Sequence, residues 1–210
     1  MEPVHDAARE SVVAACAWWG VSLDERAAGG SAWLFGSRAA GCSHETSDWD
    51  VLIVAANAGA SHERIGSIDL VTVGATGTAR GHWLASELAA HVARYGQLLL
   101  GRDDWTDAID TKEASRRKTA RTSGRIAAVG RAWPNLNERY RRERAITLRR
   151  DIQRALALAE LGTVPPTFSL DQEWAAASRR ERGRVIDRLD GGMPSELRRA
   201  LITTGVHEPT

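Results

Sequence analysis

Two aspartates set two positions apart, Asp48 and Asp50, carry the most pointed chemistry in this sequence. They belong to Asp48-Trp49-Asp50-Val51-Leu52-Ile53-Val54, a run that reads as a strand. Side chains on a strand alternate between faces, so both carboxylates point the same way, with Cα atoms roughly 7 Å apart. Placed side by side they repel, and each raises the other's pKa. A cation between them removes that cost. Their oxygens are hard ligands suited to Mg²⁺, which commonly takes one or two carboxylates together with substrate phosphates. Asp69 sits in a second apolar run, Ile68 to Val73, where an acid is costly without a partner or a task. With the two strands side by side, three carboxylates would converge into a two-metal phosphoryl-transfer site. Asp69 would serve as a metal ligand, or as a general base that takes the proton from an acceptor hydroxyl. Glu63 and Glu87 are the alternatives for the third carboxylate.

Upstream, Ala32-Trp33-Leu34-Phe35 reads as a buried strand that Gly36-Ser37 interrupts. Gly36 allows a sharp turn and a close approach to a ligand. Ser37 stands where a short helix could begin, so it either caps that helix or, with the free backbone N–H groups there, contacts a triphosphate. Arg38 is a fixed cation for a phosphate oxygen or for a salt bridge.

These residues resemble the minimal nucleotidyltransferase branch of the DNA polymerase β-like nucleotidyltransferase superfamily. The motif reads Leu34-Phe35-Gly36-Ser37-Arg38-Ala39, then Ser47-Asp48-Trp49-Asp50-Val51, then Asp69, within residues 30–101. The resemblance implies a small polymerase β-like sheet flanked by helices. It also implies transfer of an NMP, most often AMP from ATP, to a hydroxyl with loss of pyrophosphate. Mg²⁺ (Mn²⁺ as a substitute) would sit on Asp48, Asp50 and Asp69, and Gly36, Ser37 and Arg38 would hold the nucleotide. The acceptor stays open between a small molecule, a protein and a tRNA, in a toxin–antitoxin or defence setting among others. A partner protein or a homodimer is compatible with this branch. The alternative from another class is a catalytically silent nucleotide- or RNA-binding module.

The elements that must position these residues follow from the rest of the chain. Its 210 residues suit one or two domains, and the hydrophobic fraction of 43% is ordinary for a globular protein. No apolar run approaches the roughly 18 residues of a membrane span. The acidic, polar start does not read as a secretory signal, and two cysteines in different contexts, Cys16 and Cys42, read as free thiols. The expectation is a cytoplasmic protein without membrane contact. The six histidines show no ligand spacing.

Charge is uneven. Residues 112–154 hold 14 of the 28 Lys and Arg, so that block is a candidate polyanion surface, or else a solvated helical face. Helical spacing predicts helices over 4–19 and 81–95, with small polar connections over 57–66 and 74–81 and a last strand at 97–100. Beyond residue 104 only helices are expected: 106–132, 137–161, one from a Ser169-x-x-Gln172 capping box to Leu189 ended by Gly191-Gly192, and a short one from Pro194. The reading is therefore an α/β (α+β) nucleotidyltransferase domain over 1–104 and a C-terminal helical bundle over 105–210. Trp33, Trp83 and Trp174 read as core. Trp105 and Trp133, beside the basic block, are candidates for stacking on a base.

Overall fold

The computed structural model describes residues 3–56, 58–189 and 192–204, without the side chains of residues 3–6 and 8. Asn57, Gly191 and the side chains of His5 and His207 lie outside that description. The chain divides into two units, one ending at Asp110 and the other beginning at Thr111.

The first unit grows from its apolar runs. β1 (Ser31–Phe35) is buried along its whole length, and β2 (Trp49–Ala55) is buried from Val51 onward. Continuous burial of this kind marks strands covered on both faces. β3 (Ser61–Ile65), β4 (Ile68–Gly74) and β5 (Gln97–Leu100) complete a mixed sheet in the order β3-β4-β2-β1-β5. Only the β2–β4 pairing is parallel.

One face packs Leu34, Val51, Ile53, Ile68 and Leu70 with Val12 and Cys16 of α1 (Pro3–Trp18) and Ala27 of α2 (Leu23–Ala27). Burial pushes the Cys16 thiol up to about 11. The other face packs Trp33, Phe35, Leu52 and Val54 against Trp83, Ala89, Val92 and Trp105. It is covered by α4 (Gly77–Leu84) and α5 (Glu87–Tyr95), while the short α3 (Gly36–Ala39) follows β1 directly.

The second unit is all helical among its described residues: α6 (Thr111–Ala132), α7 (Glu138–Leu161), α8 (Thr167–Ala176), α9 (Arg179–Asp187) and α10 (Ser195–Thr203). Ile126, Leu148, Ile152, Trp174, Ile186, Leu197 and Leu201 form its core. The molecule is thus an α/β fold with a C-terminal helical region. Among the described residues no helix is long and apolar enough to cross a membrane.

Several elements differ from the sequence expectation. The polar connection over 57–66 contains the edge strand β3, whose charged side chains suit an exposed edge. The expected helix over 81–95 is two helices, because Ser86 accepts the Ala89 N–H at 3.1 Å and starts α5 afresh. The expected 169–189 helix is likewise two. Its real capping box is Ser178 with Glu181, a Ser-x-x-Glu signature that opens α9. Within α7, Leu158 is buried and Ala159 is exposed.

The unit boundary falls after Asp110 rather than after residue 104. Trp105 explains why. It is 2% exposed and meets Trp33 and Trp83 edge-on, at 5.3 and 5.0 Å between ring centroids, so it belongs to the sheet's core. Trp133 is buried in the helical core. Neither ring is open to a base.

Candidate functional site

The parallel register of β2 and β4 sets Asp50 directly beside Asp69. Asp48 immediately precedes β2 and, two residues from Asp50, returns to the same face. β1 brings Phe35 opposite Asp50, so the chain leaves β1 into Gly36 at the Asp50 carboxylate. A Cβ on Gly36 would come within 2.8 Å of the Asp50 Cγ and closer still to Oδ2. Gly36 also has φ of +73°, a left-handed conformation that other residues adopt only with strain. Glycine alone meets both conditions.

This crowding has an electrostatic consequence. Burial first, and then the charges of Asp69 and Asp48, push the Asp50 carboxyl up to about 6, with Arg38 partly easing it. Asp50 is therefore the acid that most needs a cation.

Two basic side chains of β3 meet the outer pair of acids. Arg64 lies opposite Asp69 in the β3–β4 register, and His62 lies opposite Val71 on the same face. Arg64 Nη2 donates to both oxygens of Asp48 at 2.8 Å, and His62 Nε2 hydrogen-bonds Asp69 Oδ1. The Arg64 and His62 side chains are 64% and 66% exposed, so either can swing away without disturbing the core. Both were missed in the sequence, where 57–66 reads as a connection. The available signal was the five-residue span before Gly66, in which His62 and Arg64 alternate with Glu63 and Ile65.

Glu63 is removed as the third carboxylate. It points to the opposite face, where Arg26 Nη1 donates to its Oε1 at 3.1 Å. Glu87 stands in the first turn of α5 rather than on a strand next to β2. The acid beside Asp50 is Asp69.

Of the two roles expected of it, Arg38 forms no salt bridge among the described residues, and its present contacts are with the loop before β2. Its Nε and Nη2 donate to the Ser47 carbonyl at 3.0 and 2.6 Å, Nη2 also reaches the Glu45 carbonyl, and its guanidinium lies 4.0 Å from the centre of the Trp49 ring. It clamps the loop that delivers Asp48 to the sheet. Ser37 lies inside the first turn of α3, whose N-cap position is Phe35, so its hydroxyl caps nothing.

Among the described residues, no group of three or more His, Cys, Asp or Glu side chains is gathered closely enough to hold a metal ion as it stands. The donor chemistry nonetheless fits one. Three hard carboxylates share a face, and burial, reinforced by the other two charges, makes one of them unfavourable as an anion. Arg64 gives Asp48 the positive charge that a divalent ion would otherwise bring, and His62 takes up Asp69 Oδ1 in a hydrogen bond.

The basic block is not a free cationic face. Arg116 and Arg117 both bond Glu113. Lys118 is buried against Asp151 at 2.8 Å, and Arg149 and Arg150 converge on Asp171. Arg141 donates to the Trp133 and Pro134 carbonyls. Much of this charge holds the helices together.

No known family model matches the sequence, and no curated protein matches it.

Proposed function

We propose that the first unit is a metal-dependent nucleotidyltransferase that moves an NMP, with AMP from ATP as the leading case, onto a hydroxyl acceptor. The observation that carries this reading is the Asp50–Asp69 register, with Asp48 on the same face and Gly36 pressed against the Asp50 carboxylate. Asp48, Asp50 and Asp69 would hold Mg²⁺ or Mn²⁺. When bound, such an ion offsets phosphate charge and lowers the pKa of a coordinated oxygen. The remaining work falls to the chain. Gly36 leaves room for a phosphate to approach the backbone, and Ser37 offers its hydroxyl and N–H beside it. Arg38 fixes the loop that presents Asp48. Asp69 accepts the proton of the acceptor hydroxyl, the oxygen attacks the α-phosphorus in line, and pyrophosphate leaves. The chemistry is mainly positioning and charge neutralisation. The acceptor is a small molecule, a protein or a tRNA, and a toxin–antitoxin or defence role fits the last two.

The ion pair of Arg64 with Asp48 and the bond of His62 to Asp69 favour a second reading, a catalytically silent nucleotide- or RNA-binding module. One experiment separates the two. The protein is incubated with each of the four α-labelled NTPs and Mg²⁺, with and without cell extract, and both label transfer and pyrophosphate release are followed. The expected result is labelled acceptor with stoichiometric pyrophosphate, abolished by excess EDTA and restored by Mg²⁺ or Mn²⁺. Nucleotide binding without label transfer from any of the four NTPs would establish the silent module instead.

A further inference from the structure

The second unit holds a cationic groove between α9 and α10. Residues 155–210 look balanced in sequence, with 7 Lys and Arg against 8 Asp and Glu. Folding separates those charges. α9 and α10 line a cavity of about 720 Å³ with Arg179, Arg180, Arg184, Arg198 and Arg199, against a single acid, Asp187. Asp187 is already taken by Arg198, whose Nε and Nη2 donate to its two oxygens at 2.7 and 2.8 Å. The side chains of Arg179, Arg180 and Arg199 make no hydrogen bond or ion pair among the described residues, and all three residues are exposed. The Arg184 side chain likewise makes no hydrogen bond or ion pair among the described residues, and the charge of Glu181 lies near it.

This contrasts with Arg149, Arg150 and Arg182 of the same unit. They are committed to Asp171 or to the Trp174 and Ala175 carbonyls. Among the described residues the unit thus commits these arginines to structural contacts, whereas the side chains of Arg179, Arg180 and Arg199 around the cavity are not so committed. Arg180 and Arg184 stand one helical turn apart, about 6 Å along α9 at 1.5 Å per residue. Arg199 adds a second row from α10.

We propose that the α9–α10 groove is a nucleic-acid site that binds a phosphodiester backbone. The guanidinium fork matches phosphate oxygens two at a time, and no lysine lines the groove. A run of anions fits two facing rows of cations better than a single phosphate does. A membrane surface fits poorly, because the one large apolar side chain in the lining, Ile202, is only 6% exposed and so cannot insert. The site needs no nucleotidyl transfer in the first unit, so it stands or falls independently of that activity.

The test measures the binding of labelled 20-nucleotide single-stranded RNA and DNA to the full chain by fluorescence anisotropy, between 50 and 300 mM KCl. The comparison variants are the groove triple Arg180→Ala/Arg184→Ala/Arg199→Ala and a triple of equal charge change on α7, Arg139→Ala/Arg142→Ala/Arg144→Ala. The groove triple is expected to weaken binding at least tenfold at low salt. It should also flatten the slope of log K against log salt by about 2, given roughly 0.7 per lost phosphate contact on a single strand. The α7 triple should stay within twofold of the parent. RNA and DNA affecting the variants alike indicates pure backbone reading, and a preference for RNA adds contact with the 2′-hydroxyl. An unchanged slope in the groove triple, an equal loss in the α7 triple, or no binding by the parent would overturn the proposal. So would displacement by poly-glutamate as effective as by polyuridylate at matched charge, which would assign the groove to an acidic protein.

Discussion

The two units treat buried charge in opposite ways. In the first, Asp48, Asp50 and Asp69 crowd one end of a sheet face, and repulsion together with burial raises Asp50 to about 6. In the second, burial would also raise the Asp151 carboxyl, but hydrogen bonds from Lys118 and Arg125 outweigh it and hold the group below its usual range. Asp171 behaves the same way between Arg150 and Arg149. A helical bundle that buries carboxylates gives each its own cations. A sheet that crowds carboxylates and leaves the central one without a bonded cation stores unfavourable energy at that spot. Such an arrangement weakens the fold unless a ligand relieves it, which is why the crowded trio reads as functional and the paired acids as structural.

The comparison breaks most visibly in the helical unit. Asp151→Asn removes the buried carboxylate that pairs with Lys118, 3% exposed in its side chain, and with Arg125. The expected loss is about 3–5 kcal/mol in urea denaturation, the usual cost of breaking one side of a buried pair. A loss under about 1 kcal/mol would show that these pairs do not hold the bundle.

The mirror experiment touches the first unit. Asp48→Asn or Asp50→Asn should cut nucleotidyl transfer by roughly 10²–10³-fold while circular dichroism stays like that of the parent, since each removes charge that offsets metal and phosphate. Activity within threefold of the parent in either variant would remove the acids from the chemistry.

Gly36→Ala sharpens the geometry behind that claim. The added methyl must displace the Asp50 carboxylate, and φ of +73° adds strain of about 1–2 kcal/mol. Transfer is expected to fall about tenfold or more even when corrected for the fraction folded, because small misplacements at a reacting centre are costly. A fall that tracks stability alone would reduce Gly36 to a turn residue.

The smallest effect is one of pH, and its sign separates the units. A carboxyl raised in the folded state favours folding where it is protonated. The contribution of Asp50 to stability therefore declines as pH rises from about 4 to about 6. Asp50→Asn should stabilise the metal-free protein at pH 7 by about 1–2 kcal/mol, a figure discounted for partial exposure, and by nothing below pH 4. Asp151 and Asp171 run the other way: their stabilisation is present above the usual carboxylate range and disappears as pH falls through their lowered values. Parallel pH profiles for Asp50→Asn and Asp151→Asn would contradict the contrast.

By itself the sequence determined the elements whose signals are local. The apolar runs of β1, β2, β4 and β5 announce strands, and Asn137 and Gly162 bracket α7 as written. Period-two alternation put Asp48 and Asp50 on one face before any pairing was known. Ser86 and Ser178 were equally local signals, overlooked inside longer helical patterns. Tertiary structure alone decided what depends on residues far apart in the chain. Strand order and register put Asp69 rather than Glu63 beside Asp50, because a one-residue slip turns a side chain to the other face. The same register brought His62 and Arg64 to the acids from a segment too charged to read as a strand. Charge counted along the chain likewise did not show which arginines meet a carboxylate. Arg149 and Arg150 found Asp171 on another helix, while the Arg180 and Arg199 side chains found no carboxylate among the described residues, because pairing depends on which helix faces pack together and not on composition.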